Sequence, residues 1–151
     1  MINITTIYGI RAVGYLAGQP EDRFVPIREI SDHLEIPFQY LTKLLQKLQN
    51  GGIINSRRGN TGGVILAKPA DEITMADVLM ILEPDFIQYK CLLHESGNEN
   101  EQCCLFSNYW HEIQKQINHL MSTTTVKTIS TEVVDNRKNK TMPNSGKNIK
   151  L

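Results

Sequence analysis

Ile36-Pro37-Phe38-Gln39-Tyr40-Leu41-Thr42-Lys43-Leu44-Leu45-Gln46-Lys47-Leu48-Gln49-Asn50-Gly51-Gly52-Ile53-Ile54-Asn55-Ser56-Arg57-Arg58-Gly59-Asn60-Thr61-Gly62-Gly63-Val64-Ile65-Leu66 changes its periodicity twice. Leu41, Leu44, Leu45 and Leu48 fall at i, i+3, i+4 and i+7, which predicts a helix over Phe38–Gln49 with one apolar stripe. Pro37 suits its first turn, where a missing N–H costs nothing. Asn50-Gly51-Gly52 tolerates positive φ and ends the helix. The runs Ile53–Arg57 and Gly63–Ala67 then read as two short strands around a glycine-rich turn.

Upstream, Ile27, Ile30 and Leu34 keep helical spacing over Ile27–Leu34 after Pro26, and Glu35-Ile36-Pro37 interrupts it. Ile7, Ile10, Ala12, Val13 and Leu16 place an earlier helix over Thr5–Ala17, stopped by Gly18. Helix, short turn, helix and hairpin in this order form a winged helix-turn-helix. Downstream, Thr74 caps a helix to Leu82, ahead of Pro84. A long helix over Leu105–Ser122 carries Phe106, Trp110, Ile113, Ile117 and Leu120 at steps of four and three, the spacing of a helix–helix seam. Thr124–Val134 reads as a last short helix. The chain from Asp135 is polar, basic and without apolar period, which predicts disorder.

The expected fold is thus mainly α with a small β-hairpin wing, plus a long C-terminal dimerisation helix. Its parts are a winged helix-turn-helix domain at 1–83, a cysteine-containing sensor loop at 84–104, a dimerisation region at 105–134 and a disordered basic tail at 135–151. Hydrophobic residues make up 40%, enough for a core of this size. No run of 18 apolar residues is present, so no membrane helix is expected. The start lacks a basic region and a secretory cleavage pattern, which points to the cytoplasm.

Net charge is zero, yet the charges are segregated. Between Pro37 and Pro69 lie Lys43, Lys47, Arg57, Arg58 and Lys68 and no acidic residue; between Asp71 and Glu101 only Lys90 opposes a run of carboxylates. The cationic block coincides with the second helix of the turn and the wing, the two elements this motif lays on DNA. Lys and Arg there neutralise phosphates. With the leucines facing inward, Phe38, Gln39, Thr42, Lys43, Gln46 and Lys47 face outward. Gln39, Tyr40 and Lys43, near the helix start, are the candidates for base readout, since Gln pairs with adenine and Lys donates to guanine. Tyr40 fits a part-buried packing role equally well. Arg57, Arg58, Gly59 and Asn60 are the wing candidates, and Gly59, Gly62 and Gly63 allow a tight turn. Double-stranded DNA with a palindromic operator, read by a homodimer, is the expected partner. No Gly-rich phosphate loop and no Ser/His/Asp arrangement supports an enzyme; an electron carrier or a protein-interaction module is the competing class.

The quoted stretch also resembles a known signature. Ile36-Pro37-Phe38-Gln39-Tyr40-Leu41, Leu44, Leu48, Gly52-Ile53-Ile54, Ser56-Arg57-Arg58-Gly59 and Gly62-Gly63 look like the IscR/NsrR-type regulators. Tyr8-Gly9-Ile10-Arg11-Ala12, Tyr15-Leu16-Ala17, Lys68-Pro69-Ala70 and Ile73-Thr74-Met75-Ala76-Asp77-Val78 match as well, so the likeness spans about residues 1–130. It implies a homodimeric winged-helix repressor, often with an iron–sulfur cluster in the loop before the dimerisation helix, sensing nitric oxide, iron, iron–sulfur status or redox state. Leu82-Glu83-Pro84 resembles the nitric-oxide-sensing branch.

Three cysteines clustered at Cys91, Cys103 and Cys104 do not make a disulfide framework. Thiolates are the usual protein ligands of iron–sulfur clusters, either [2Fe-2S] or [4Fe-4S]. Cys91 matches the first of the family's three spaced cysteines and Cys104 the third. The middle one has moved, since Cys103 adjoins Cys104. Neighbouring side chains on extended backbone diverge, so both reach one cluster only from a bent backbone. For a fourth ligand, Ile7 stands where some relatives carry an acid. His94 and Glu101 lie in the loop, and a thiol from solution or the partner chain is another source. A cluster-free thiol switch through these cysteines is the alternative.

Overall fold

The computed structural model describes residues 3–59, 61–84 and 107–135 of the chain. Helix α1 (Ile4–Ala17) is capped by the Asn3 side chain, which accepts from the Thr5 amide at 3.1 Å. Helix α2 (Ile27–Leu34) follows Pro26, and α3 (Phe38–Asn50) follows Pro37. Between α2 and α3, Glu35 takes a left-handed conformation (φ 56°). The buried Ser31 closes this turn: its hydroxyl donates to the Ile36 carbonyl at 2.7 Å, and its carbonyl accepts from the Ile36 amide at 3.1 Å.

Strands β1 (Ile54–Arg57) and β2 (Gly63–Leu66) form the antiparallel hairpin, with Ile54 opposite Leu66 and Arg57 opposite Gly63. Val25, unforeseen from sequence, extends the sheet by exchanging two backbone hydrogen bonds of 2.9 Å with Val64. A Cβ at Gly63 would stand 2.3 Å from the Val25 carbonyl oxygen, so only glycine admits this approach.

Helix α4 (Met75–Leu82) begins with a full capping box. Thr74 accepts from the Asp77 amide, and the Asp77 carboxylate accepts from the Thr74 amide at 2.9 Å. The long helix α5 (Ser107–Thr123) packs against α4. The chain then returns. Thr125 bridges Thr74, the Met75 amide donates to Thr124 at 2.8 Å, and the Val126 amide donates to Ile73 at 2.8 Å. Helix α6 (Val126–Asp135) therefore lies on α1, and Val126 belongs to the same core as Leu16, Ile30, Leu44 and Ile54. Sequence spacing had grouped this helix with the dimerisation region. The Thr74–Thr125 bridge and its two backbone hydrogen bonds, which no side-chain pattern announces, bring it back onto the N-terminal body.

The expected architecture, mainly helical with a small hairpin wing, is the one found. Among the described residues, helix ends fall on the spacing-based limits or within two residues of them. Among the described residues no helix is long and apolar enough to cross a membrane. The tail from 136 and the cysteine segment lie outside the described residues.

Candidate nucleic-acid interface

Leu41, Leu44, Leu45 and Leu48 are all buried, each no more than 2% exposed. Burying this stripe fixes the rotation of α3 and turns the opposite face out: Phe38, Gln39, Lys43, Gln46 and Lys47 are exposed. Thr42 is half-buried, and its hydroxyl donates back to the Phe38 carbonyl at 2.8 Å. Tyr40 turns toward the body. It is half-buried, its ring meets Tyr8 edge-on (centroids 5.9 Å apart), and its hydroxyl is hydrogen-bonded to that of Thr5.

Lys43, Lys47, Arg58 and Lys68 are exposed and enter no ion pair among the described residues. Cations held apart from carboxylates keep their full field toward an incoming polyanion. Gly59, at the wing turn, has φ +109°, a conformation that side chains disfavour. Asn60 lies outside the described residues. Arg57 behaves differently from its neighbour: its guanidinium lies over the Phe24 ring at 4.2 Å and donates to the Thr61 carbonyl at 3.0 Å.

Sequence reasoning missed Arg28. This exposed residue of α2 stands over the Phe38 ring at 5.2 Å, beside the start of α3. Glu29 next to it is taken by Arg23, at 2.8 Å, which leaves Arg28 without a carboxylate partner among the described residues. The acids Glu29 and Asp32 within the same helix had masked this cation in a charge count along the chain.

Helix α5, which packs on α4, exposes a row of large apolar side chains: Tyr109 (73%), Ile113 (46%), Ile117 (37%) and Leu120 (56%). Trp110, Gln114 and Met121 are half-buried on the neighbouring face. Tyr109 was not among the expected seam residues, because counting from Phe106 in steps of four and three passes over it. Phe106 itself lies outside the described residues.

The entry to the cysteine segment is anchored. The Glu83 carboxylate accepts from the Thr6 hydroxyl at 2.8 Å and from the Asn3 amide at 3.1 Å. The Thr6 hydrogen bond first, and the Asn3 amide second, hold its carboxyl below the usual glutamate range, against a smaller opposing effect of burial. Cys91, His94, Glu101, Cys103 and Cys104 all lie outside the described residues. Among the described residues, no three His, Cys, Asp or Glu side chains gather as metal ligands.

A helix with a buried leucine stripe and a cationic outer face, followed by a glycine-tight hairpin, is the architecture of winged-helix transcriptional regulators. The chain belongs to the Rrf2 family, described as iron-dependent transcriptional regulators, whose pattern it matches over residues 2–132. The family is one of DNA-binding regulators and not of enzymes. A protein of Aquifex aeolicus described as an HTH-type transcriptional regulator is 32% identical over 125 residues, covering 82% of this chain and 86% of that one. The fold is similar to CymR (YrzC), the global cysteine regulator of B. subtilis, with a TM-score of 0.75 at 23% identity, covering 87% of this chain and 97% of that one. It is also similar to T. potens IscR, with a TM-score of 0.67 at 20% identity, covering 95% and 93%.

Proposed function

We propose that the protein is a cytoplasmic homodimeric repressor that grips a palindromic operator through α3 and the wing, with its affinity set by an iron–sulfur cluster on Cys91, Cys103 and Cys104. The observation that carries the DNA reading is the outward set Lys43, Lys47, Arg58 and Lys68, free of ion pairs among the described residues. In this reading Gln39 and Lys43 meet base edges, while Lys47, Arg58, Gly59 and Asn60 meet phosphates or the minor groove. Phe38 and Thr42 flank the readout positions, and Tyr40 holds α3 against α1. The apolar row of α5, Tyr109, Ile113, Ile117 and Leu120, supports the pairing of two copies.

The family's description as iron-dependent supports a metal-based signal, and three thiols are soft ligands suited to iron–sulfur chemistry. Bound there, a cluster would supply a chemically labile group that iron supply, oxidants or nitric oxide can alter. Its segment joins α4 to α5, so a change there bears on how the two DNA-binding halves are spaced, and half-site spacing is fixed by dimer geometry. Differential affinity of the two states for DNA is what would shift the population.

The test is anaerobic purification followed by a visible absorption spectrum and iron and sulfide assays, with DNA binding measured before and after cluster loss. Colourless, iron-free protein even after anaerobic reconstitution would defeat the cluster reading, and unchanged cluster content in Cys91→Ala would defeat the ligand assignment. The adjacency of Cys103 and Cys104 favours one alternative, a cluster-free thiol switch. In that case colourless protein would lose or gain DNA affinity on oxidation and recover it on thiol reduction.

A further inference from the structure

Arg57 lies in the cationic wing and is exposed, but its guanidinium is held against neighbouring parts of the chain. The guanidinium carbon is 4.2 Å from the centroid of the Phe24 ring, and Nη2 donates to the Thr61 carbonyl at 3.0 Å. Its own backbone is the last rung of the hairpin, opposite Gly63. Phe24 adjoins Val25, which is locked to Val64 by two hydrogen bonds of 2.9 Å. One side chain thus joins the end of β1, the returning arm of the wing turn and the extended segment that leads into α2. A planar guanidinium stacks on an aromatic face and offers a donor in its plane at the same time, which an ammonium cannot do. Arg58, one residue on, is exposed and has no such tether among the described residues.

We propose that Arg57 is a positioning residue of the wing: clamped between Phe24 and Thr61, it sets the tilt of the hairpin and presents Arg58, rather than itself, to a DNA phosphate. This deepens the DNA-binding reading above and rests on it. The wing glycines leave the turn little stiffness of its own, since glycine is the most permissive residue. A brace from outside the turn supplies what the turn lacks.

The test uses the full chain and a fluorescent duplex pool of random sequence, titrated over a range of salt concentrations, with amide hydrogen exchange in the wing read in parallel. Arg57→Met and Phe24→Leu are each expected to weaken DNA binding about three- to tenfold. The double variant should be no worse than the weaker single, since both remove one contact. Arg57→Lys should fail to rescue. All four should keep the wild-type salt slope, whereas Arg58→Ala should lower it by about 1.8, the loss of one phosphate contact in each protomer of the dimer. Exchange at the amides of Gly59 and Gly62 should quicken in Arg57→Met and Phe24→Leu and stay unchanged in Arg58→Ala.

Wild-type affinity in Arg57→Lys, or a slope in Arg57→Met lowered as in Arg58→Ala, would overturn the proposal and make Arg57 a phosphate contact. Unchanged wing exchange in Phe24→Leu would also overturn it. If the wild-type chain bound no duplex at all, the DNA reading would fall, while the exchange data would still decide whether the brace exists.

Discussion

The Thr6 hydroxyl donates to the Glu83 carboxylate at 2.8 Å across 77 residues of sequence, tying the first turn of α1 to the end of α4 just before the cysteine segment begins. Thr6 is buried, so the bond is sheltered on one side. It is the largest cause of the lowered Glu83 pKa. A carboxyl whose folded pKa is depressed contributes stability that is complete above its unfolded pKa and is lost as pH falls through the folded value. Thr6→Val keeps the shape and removes the donor. Its thermal midpoint should lie below wild type at neutral pH, with the gap closing as the medium is acidified below the glutamate range. A gap that persists unchanged into acid would show that the bond is not what Thr6 supplies.

Leu41 and Lys43, two residues apart on α3, should separate folding from binding. Leu41 is fully buried, and truncating it leaves a cavity. Leu41→Ala should cost about 2–5 kcal/mol in denaturant unfolding. Lys43 is exposed, and Lys43→Ala should change stability by less than about 0.5 kcal/mol. Its effect should appear in DNA titrations, where the salt slope of the dimer falls by about 1.8 if the ammonium of each protomer meets a phosphate, or in lost sequence preference if it meets a base. A variant with wild-type affinity, slope and preference would remove Lys43 from the interface.

The leucine stripe made the helix-turn-helix legible because burial of one face dictates helix rotation, and the glycines made the wing legible because few residues tolerate such turns. Val25 escaped notice because a single bridging residue carries no period of its own. The return of α6 escaped because Thr123, Thr124 and Thr125 resemble a linker, while Thr124, Thr125 and Val126 in fact pair through their backbone with Met75, Thr74 and Ile73. On the candidate surface, the exposure of Gln39, Lys43 and Lys47 follows from the stripe alone. The stacking of Arg57 on Phe24 and of Arg28 on Phe38 does not, because each depends on an aromatic ring supplied by another part of the chain. The cysteines posed a different problem, since thiol chemistry can be read from composition whereas convergence of sulfurs depends on backbone path.

The close approach at Gly63 yields a sharper test of the wing. A methyl group there would overlap the Val25 carbonyl, which lies 2.3 Å from the added carbon and belongs to backbone that cannot swing aside. Gly63→Ala should therefore break the Val25–Val64 pairing and destabilise the fold by about 1–3 kcal/mol. Helical circular dichroism should persist at low temperature while DNA affinity falls. Thr61→Ala, at an exposed position whose carbonyl is untouched by the change, is the control expected to behave as wild type. Equal stability and binding in Gly63→Ala would mean that the hairpin does not need its contact with Val25.

The row Tyr109, Ile113, Ile117 and Leu120 is larger than the scattered apolar exposure of ordinary surfaces, and such continuous rows mark interfaces. A second copy meeting it along α5 would bury the row on both sides and set the distance between two DNA-reading helices. Replacing Ile113 and Ile117 together by Lys puts two charges into that contact, where neither finds a partner. Sedimentation should report a dimer for the wild type and a 17.1 kDa monomer for the variant. Helical content should be retained, because these side chains are already exposed within one chain. DNA affinity should drop steeply, since each half-site must then be bound alone. A variant that still sediments as a dimer would assign the pairing of copies to another face.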